Sequence, residues 1–293
     1  MNTERPNNRK TTTNELWLTL PSFGWLFIFF MIPALIIFVI SFRTPDVTGG
    51  VGDEWTLTNW AAWLHPDVRM LAIRTAWISA LATAICLALA IPMAWFMARC
   101  SVAWRNALLL LVIIPFLTNF LIRIFAWKVL LNHDGPITRL ARMFHCIGPQ
   151  DGLLYTPGAV MLVLVYTHLP FAILPLYAAA EKFDFSLLDA ARDLGATSRR
   201  AFFSVFIPGI ATGISAASLM VFVLALGCYL IPDVVGGHAS DMLGNRIAQR
   251  AFSDRNLPEA SALASGLALA AIILAAVLWN RNNAGSSSKP SAQ

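Results

Sequence analysis

The sequence predicts an all-α membrane protein with six transmembrane helices. Two observations carry this. Of 293 residues, 57% are hydrophobic and only 13% charged, with mean hydropathy +0.65, whereas soluble domains carry roughly a quarter charged residues. The apolar excess is also segmented into runs of about 20 residues or more, the length that crosses a hydrocarbon core roughly 30 Å thick. A membrane barrel would show alternating segments of about ten residues instead.

The six spans are expected at approximately 22–42, 71–98, 107–131, 157–180, 205–231 and 261–280. The first is long enough to span and too long for the apolar core of a cleaved signal, so it reads as a retained helix. Before it, Leu16, Trp17, Leu18 and Leu20 make a short segment suited to the membrane surface. The fourth span is expected to be the least regular, because Pro170 and Pro175 interrupt it. Pro33, Pro92, Pro115 and Pro208 sit in or at the ends of other spans and predict bends. Turn signals mark two of the loops, Thr48-Gly49-Gly50 and Asp134-Gly135-Pro136. These elements divide the chain into an N-terminal segment (1–21), a first helix and outer loop (22–70), a main membrane domain (71–280) and a flexible Gly/Ser-rich tail (281–293).

Lys and Arg set the orientation. With the N-terminus inside, segments 1–21, 99–106, 181–204 and 281–293 hold 11 Lys/Arg in 66 residues, against 7 in 82 for 43–70, 132–156 and 232–260. The excess favours both termini on the cytoplasmic side of the membrane. Arg74, Arg123 and Lys128 fall inside the spans near their outer ends and are expected to snorkel outward. The net charge of +5 belongs to these loops, which meet anionic lipid. No Arg/Lys run interleaves with aromatics, so nucleic acid is not an expected partner. Cys86, Cys100, Cys146 and Cys228 form no CxxC pair and read as small hydrophobes.

The chain carries no HExxH, no GxSxG and no GxxxxGK[ST] phosphate loop. It is therefore expected to be no enzyme, to hold no metal or cofactor, and to lack the usual apparatus for hydrolysing ATP.

The informative loop is 181–204. Ser186 and Asp189 have the S-x-x-D form of a capping box, which predicts a helix starting near Leu187. Ala190, Ala191 and Leu194 put small and apolar side chains on that helix, and Gly195 supplies a stop. Thr197 or Ser198 can cap a second helix running through Arg199 and Arg200 toward Pro208. Small residues let another protein's backbone approach. Asp189, Arg192, Asp193, Arg199 and Arg200 suit a polar rim. An ordinary amphipathic connector would look similar from these features alone.

The loop resembles the signature of binding-protein-dependent ABC importer permeases: Glu-Ala-Ala, three residues, Gly, nine residues, then Ile-x-Leu-Pro. Here it reads Asp189-Ala190-Ala191, Gly195 and Val205-Phe206-Ile207-Pro208, with both spacings intact. The departures are Asp for Glu, Val for Ile and Ile for Leu. Pro115 to Ile124, Ala94-Trp95-Phe96, Glu181-Lys182, Ala190 to Ala196 and Asp233-x-x-Gly236-Gly237 are similar to the first permease subunit of spermidine/putrescine importers. The resemblance covers roughly 20–280 and is poor in 43–70.

It implies a type I (MetI-like) importer bundle with a cytoplasmic coupling helix between spans four and five. The implied ATPase-coupling residues are Ser186, Asp189, Ala190, Ala191, Arg192, Asp193, Gly195, Ala196 and Pro208. The implied partners are an ATP-binding cassette ATPase, a second homologous permease and an external substrate-binding protein, in a lipid bilayer.

A polyamine path would offer carboxylates, carbonyls and aromatic faces. No Asp or Glu lies near the centre of a span, so the candidates are Thr118, Asn119, Tyr229 and Asp233. Each has a plainer reading: Thr118 and Asn119 as interhelical glue, and Asp233 as a solvated helix-end acid. His168 reads as a packing residue and Arg123 as an interfacial anchor. Two alternatives stay open, a same-class permease for an anion, iron or another solute, and a stand-alone secondary transporter. The latter would place charged or unwound sites at mid-membrane.

Overall fold

The computed structural model describes residues 21–46, 49–145, 147–148 and 151–286, the last nine as backbone only. The segment expected at 11–20, Cys146 and the tail from 287 lie outside the described residues. The chain divides into two compact units. One comprises the described residues up to Trp63 with Arg250–Gly266, the other Leu64–Gln249 with the described residues from Leu267.

The first unit opens with helix α1 (Pro21–Ile40), which exposes apolar side chains from Phe23 to Val39 and buries none. Its backbone widens into a π turn at Phe27–Met31, two residues before Pro33. A proline ring clashes with the carbonyl four residues back, here Phe29, and the wide turn makes room there. A hairpin follows. Strand β1 (Arg43–Pro45) pairs antiparallel with β2 (Val51–Trp55), Arg43 opposite Trp55.

The outer loop expected at 43–70 is therefore partly ordered as a hairpin. Val51-Gly-Asp-Glu-Trp lacks the apolar alternation that announces a strand, and bonds from further along the chain hold the hairpin. Asn59 Nδ2 donates to the Ser41 and Arg43 carbonyls at 3.0 and 2.7 Å, and Trp60 Nε1 donates to Ser41 Oγ at 3.1 Å. The turn signal holds at Gly49 and Gly50, whose φ are +90° and +117°. In the same unit Trp63 Nε1 donates to the Ala262 carbonyl at 3.2 Å. Arg250 pairs with Asp254 and Glu259 at 3.0 and 2.9 Å.

The second unit is built on three packed helices: α2 (Pro66–Arg99), α6 (Pro157–Glu181) and α9 (Ala211–Leu226). Between α2 and α6 the chain forms α3 (Val102–Leu117), α4 (Phe120–Leu131) and α5 (Pro136–Met143). Between α6 and α9 it forms α7 (Ser186–Asp193) and α8 (Ser198–Gly209). Short helices α10 (Leu230–Val235) and α11 (Leu243–Ala248) precede α12 (Leu257–Ser286), whose first turns belong to the first unit.

Small residues explain the core. Thr75, Ser79, Ala82, Thr83, Cys86, Ala90 and Ala94 form the buried stripe of α2, and Gly213, Ala217, Val221 and Ala225 that of α9. Where lipid removes the hydrophobic drive between helices, such stripes let backbones approach for van der Waals packing. His168 packs as expected, its Nδ1–H donating to the Leu164 carbonyl at 2.8 Å.

Among the described residues four helices are long and apolar enough to cross a membrane: α1, α2, α6 and α12. The pairs α3 with α4–α5, bent by 93°, and α8 with α9, bent by 69°, bring the number to six. Span four is not the irregular one. It runs unbroken through Pro170 and Pro175, while span three breaks at Thr118-Asn119 and span five bends at Ile210. Tandem Thr-Asn can cap both exposed helix ends, and so stabilises a break that a lone proline inside a long helix does not force.

Candidate functional site

The 181–204 loop folds as a helix, a tight stop and a second helix, but its start differs from the expectation. Ser186 is the first helical residue and not the cap, so the Ser186–Asp189 capping box does not form. Asp184 Oδ1 accepts from the Ser186 N–H at 3.0 Å instead. Hydrogen bonds from the Ser186 hydroxyl and N–H hold the Asp184 carboxyl below its usual range. Asp189, released from capping, pairs with Arg192 at 3.1 Å.

The stop is a Schellman motif. The Ala196 N–H donates to the Ala191 carbonyl at 3.0 Å and the Gly195 N–H to the Arg192 carbonyl at 2.8 Å. That bonding needs a left-handed residue at the turn, and Gly195 supplies it with φ +87°. Thr197 then caps α8, its Oγ1 accepting from the Arg200 N–H at 3.3 Å. The spacing Ala191, Gly195, Ala196 is therefore the spacing of a helix stop.

The small and apolar residues of α7 separate onto two faces. Leu188 is buried, and Ala191 and Ala196 pack against the core. Leu187, Ala190, Asp193 and Leu194 point outward, Leu194 being 90% exposed. Arg199 and Arg200 are exposed beside them.

An aromatic cluster that sequence reasoning missed fastens the inner face. Trp95 near the end of α2 meets Phe185, Phe202 and Phe206 edge-on at 5.6, 5.0 and 4.5 Å. Phe183 meets Phe185 and Phe206 at 5.4 and 5.2 Å. The Arg99 guanidinium lies 5.1 Å over Trp95 and 5.6 Å over Phe185. Each aromatic pair is worth about 0.5–1.5 kcal/mol beyond its buried area. Phe202–Phe206 forms a second π turn two residues before Pro208, so Pro208 sits above a widened carbonyl ring as Pro33 does. The signal in the sequence was Phe183, Phe185, Phe202, Phe203 and Phe206 clustering around a polar loop. Nearby, Arg105 pairs with Glu181 at 3.1 Å, which puts 99–106 and 181–204 at the same end of this unit.

The path candidates lie elsewhere in the unit. At the break in span three, Thr118 Oγ1 donates to the Pro115 carbonyl at 2.6 Å and Asn119 Oδ1 accepts from the Leu121 N–H at 2.8 Å. Both residues therefore satisfy their own chain's helix ends. Both are exposed. Arg123 is not a free interfacial anchor. Its Nη2 donates to the Thr118 carbonyl at 3.3 Å, and its guanidinium lies 5.2 Å over Phe116.

Tyr229 and Asp233 come together on α10, where the Asp233 N–H donates to the Tyr229 carbonyl at 3.1 Å. Tyr229 and Asp233 are exposed while Ile231, Pro232, Val234 and Val235 are buried, and α10 packs against α4. Asn245 Nδ2 holds the Tyr229 carbonyl at 2.9 Å. Among the described residues no group of three metal-ligating side chains assembles.

The family described as "Binding-protein-dependent transport system inner membrane component" matches residues 90–284, from α2 through α12. The chain belongs to this family. As a member it is an ABC importer permease. It is 36% identical over 256 residues to the spermidine/putrescine transport system permease protein PotB of Escherichia coli K12, covering 87% of this chain and 93% of that protein. The same-named protein of Haemophilus influenzae is 36% identical over 260 residues, 89% and 91% of the two chains. The inner membrane ABC transporter permease protein YdcU of Escherichia coli K12 is 33% identical over 231 residues, 74% and 73%. The fold matches that of a chain in the crystal structure of a bacterial ABC transporter involved in the import of the acidic polysaccharide alginate. The TM-score is 0.72 at 16% identity, over 94% of this chain and 98% of that one. A second crystal structure of the alginate transporter, with its pentasaccharide-bound periplasmic protein, gives a TM-score of 0.67 at 16% identity, over 93% and 96%.

Proposed function

We propose that this permease carries polyamines inward, with its termini in the cytoplasm. On this reading a separate ATP-binding cassette ATPase docks on α7, and a second permease and an external binding protein complete the importer. One observation carries the docking assignment. The Schellman-closed α7 is fused by short links to α6 and α8 and turns Leu187, Ala190 and Leu194 outward. An exposed apolar face at the junction of two spans suits a groove in another subunit, and a rigid helix there can pass displacement into the membrane. Ser186, Asp189, Arg192, Asp193, Gly195, Ala196 and Pro208 build or rim that element. ATP and Mg would sit in the partner.

The solute reading rests on the relatives named for spermidine and putrescine and on α10, where an exposed carboxylate stands one turn from an exposed aromatic ring. A polycation would meet charge at Asp233 and a π face at Tyr229. The exposed Thr118 and Asn119 break lines the same reading. The anion alternative leaned on Arg123, and that guanidinium is engaged by the Thr118 carbonyl and Phe116.

The test is reconstitution with ATPase, second permease and binding protein in proteoliposomes, with spermidine, putrescine, sulfate and iron as solutes. Polyamine uptake is expected, with a raised KM in Asp233→Asn. Uptake indifferent to polyamine but driven by another solute overturns the assignment.

A further inference from the structure

We propose that Trp95 is the positioning residue that ties the docking helix to α2, so that α7 and the end of α2 move as one body. The inference rests on reading 186–208 as the docking loop. Covalent links already join α7 to two of the three core helices: 182–185 lead back to α6, and 194–197 lead on to α8 and α9. Helix α2 has no such link. It is reached through the Trp95 ring, which touches Phe185 immediately before α7 and Phe202 and Phe206 in the π turn after it.

Three edge-on contacts at 69°, 76° and 84° resist sliding of the ring in more than one direction. Arg99, one turn further along α2, roofs both Trp95 and Phe185. On the far side the ring of Phe183 fills the space over Gly209, where a Cβ would lie 2.3 Å from the ring. The cluster is therefore packed from the α2, α6 and α8 sides. A push on α7 is carried to α6 and α9 by the chain, and to α2 both through its packing on those helices and directly by this ring.

The experiment uses the full chain in the assembled importer, in proteoliposomes. Trp95→Leu is compared with Trp95→Phe, which keeps an aromatic edge, and with Phe185→Leu on the other side of the contact. Three quantities are read: co-purified ATPase, spermidine accumulated per ATP hydrolysed, and a spin-label distance between S186C and F96C with and without ATP and Mg. In the wild type that distance is expected to stay constant.

In Trp95→Leu the ATPase is expected to co-purify normally, while spermidine per ATP falls at least about fivefold, the low end of a coupling effect, and the spin-label distance changes with nucleotide. Trp95→Phe should stay within about twofold of wild type on the same scale. An unchanged ratio and a constant distance in Trp95→Leu overturn the proposal, as does loss of ATPase binding with melting unchanged. If Trp95→Leu does not fold, Phe185→Leu carries the same expectations and the same refutation. If spermidine is not a solute, the distance measurement decides alone. Leu194→Asp tests the underlying reading separately, since normal co-purification of the ATPase with that variant removes the docking loop itself.

Discussion

Gly195 has φ +87° and open space where a Cβ would sit, so backbone strain and not crowding governs what can replace it. Gly195→Val should strain the Schellman stop by about 1–2 kcal/mol and abolish ATPase co-purification. Gly195→Asn, a residue that tolerates the left-handed region, should keep most of it. Asp184 gives a pH signature. Its folded pKa lies below the ordinary value, so its contribution to the start of α7 is present above the unfolded pKa and is lost as pH falls through the folded one. The protection factors of the Ser186 and Leu187 amides, measured against their intrinsic exchange rates, should therefore fall on acidification below the ordinary carboxylate range, and should already be low at neutral pH in Asp184→Ala. At this scale the sequence was partly legible. Gly195 and Thr197 announced their roles through residue type. Ser186 did not, because Asp184 and Asp189 compete for its N–H, and Asp184, two residues before it, takes the bond.

The break in span three and the bend before span five set the shape of the second unit. At the break, orphan carbonyls and N–H groups are satisfied by Thr118, Asn119 and Arg123, as lipid would require of non-helical backbone. Arg123→Leu removes the partner of the Thr118 carbonyl and should cost about 1–3 kcal/mol, measured as a lower melting midpoint in detergent. At the bend, Gly209→Ala drives a Cβ into the Phe183 ring. That overpacking should cost about 1–3 kcal/mol and lower uptake, while the ATPase still docks on the outward face of α7. Prolines misled the expectation about irregular spans. Pro170 and Pro175 lie within one continuous helix, whereas the polar pair Thr118-Asn119 marks the break. A proline removes one hydrogen bond, but a break must leave its freed groups somewhere to go.

Across the whole molecule, segmentation of apolar residues is a property of composition, and it made the membrane class and the six candidate spans legible. The hairpin at 43–55 was not legible because its strands lack apolar alternation, and the aromatic cluster was not because Trp95 meets rings far along the chain. Orientation has a direct check. Single cysteines replacing Arg5, Asn106 and Ala284 in a cysteine-free background should label from the cytoplasmic side of intact cells only after permeabilisation, and Glu54→Cys should label without it. The helix stop at Gly195 also divides the labour within α7. Residues that fold the loop (Leu188, Ala191, Gly195, Ala196 and Thr197) are a different set from those it displays (Leu187, Ala190, Asp193 and Leu194). Exchange of the displayed set for that of another importer should redirect the chain to a foreign ATPase with its melting unchanged. On the docking reading proposed above, the fold holds a socket constant while the key it presents is free to be recut, and paralogous importers in one membrane would keep their motors apart by surface substitutions alone.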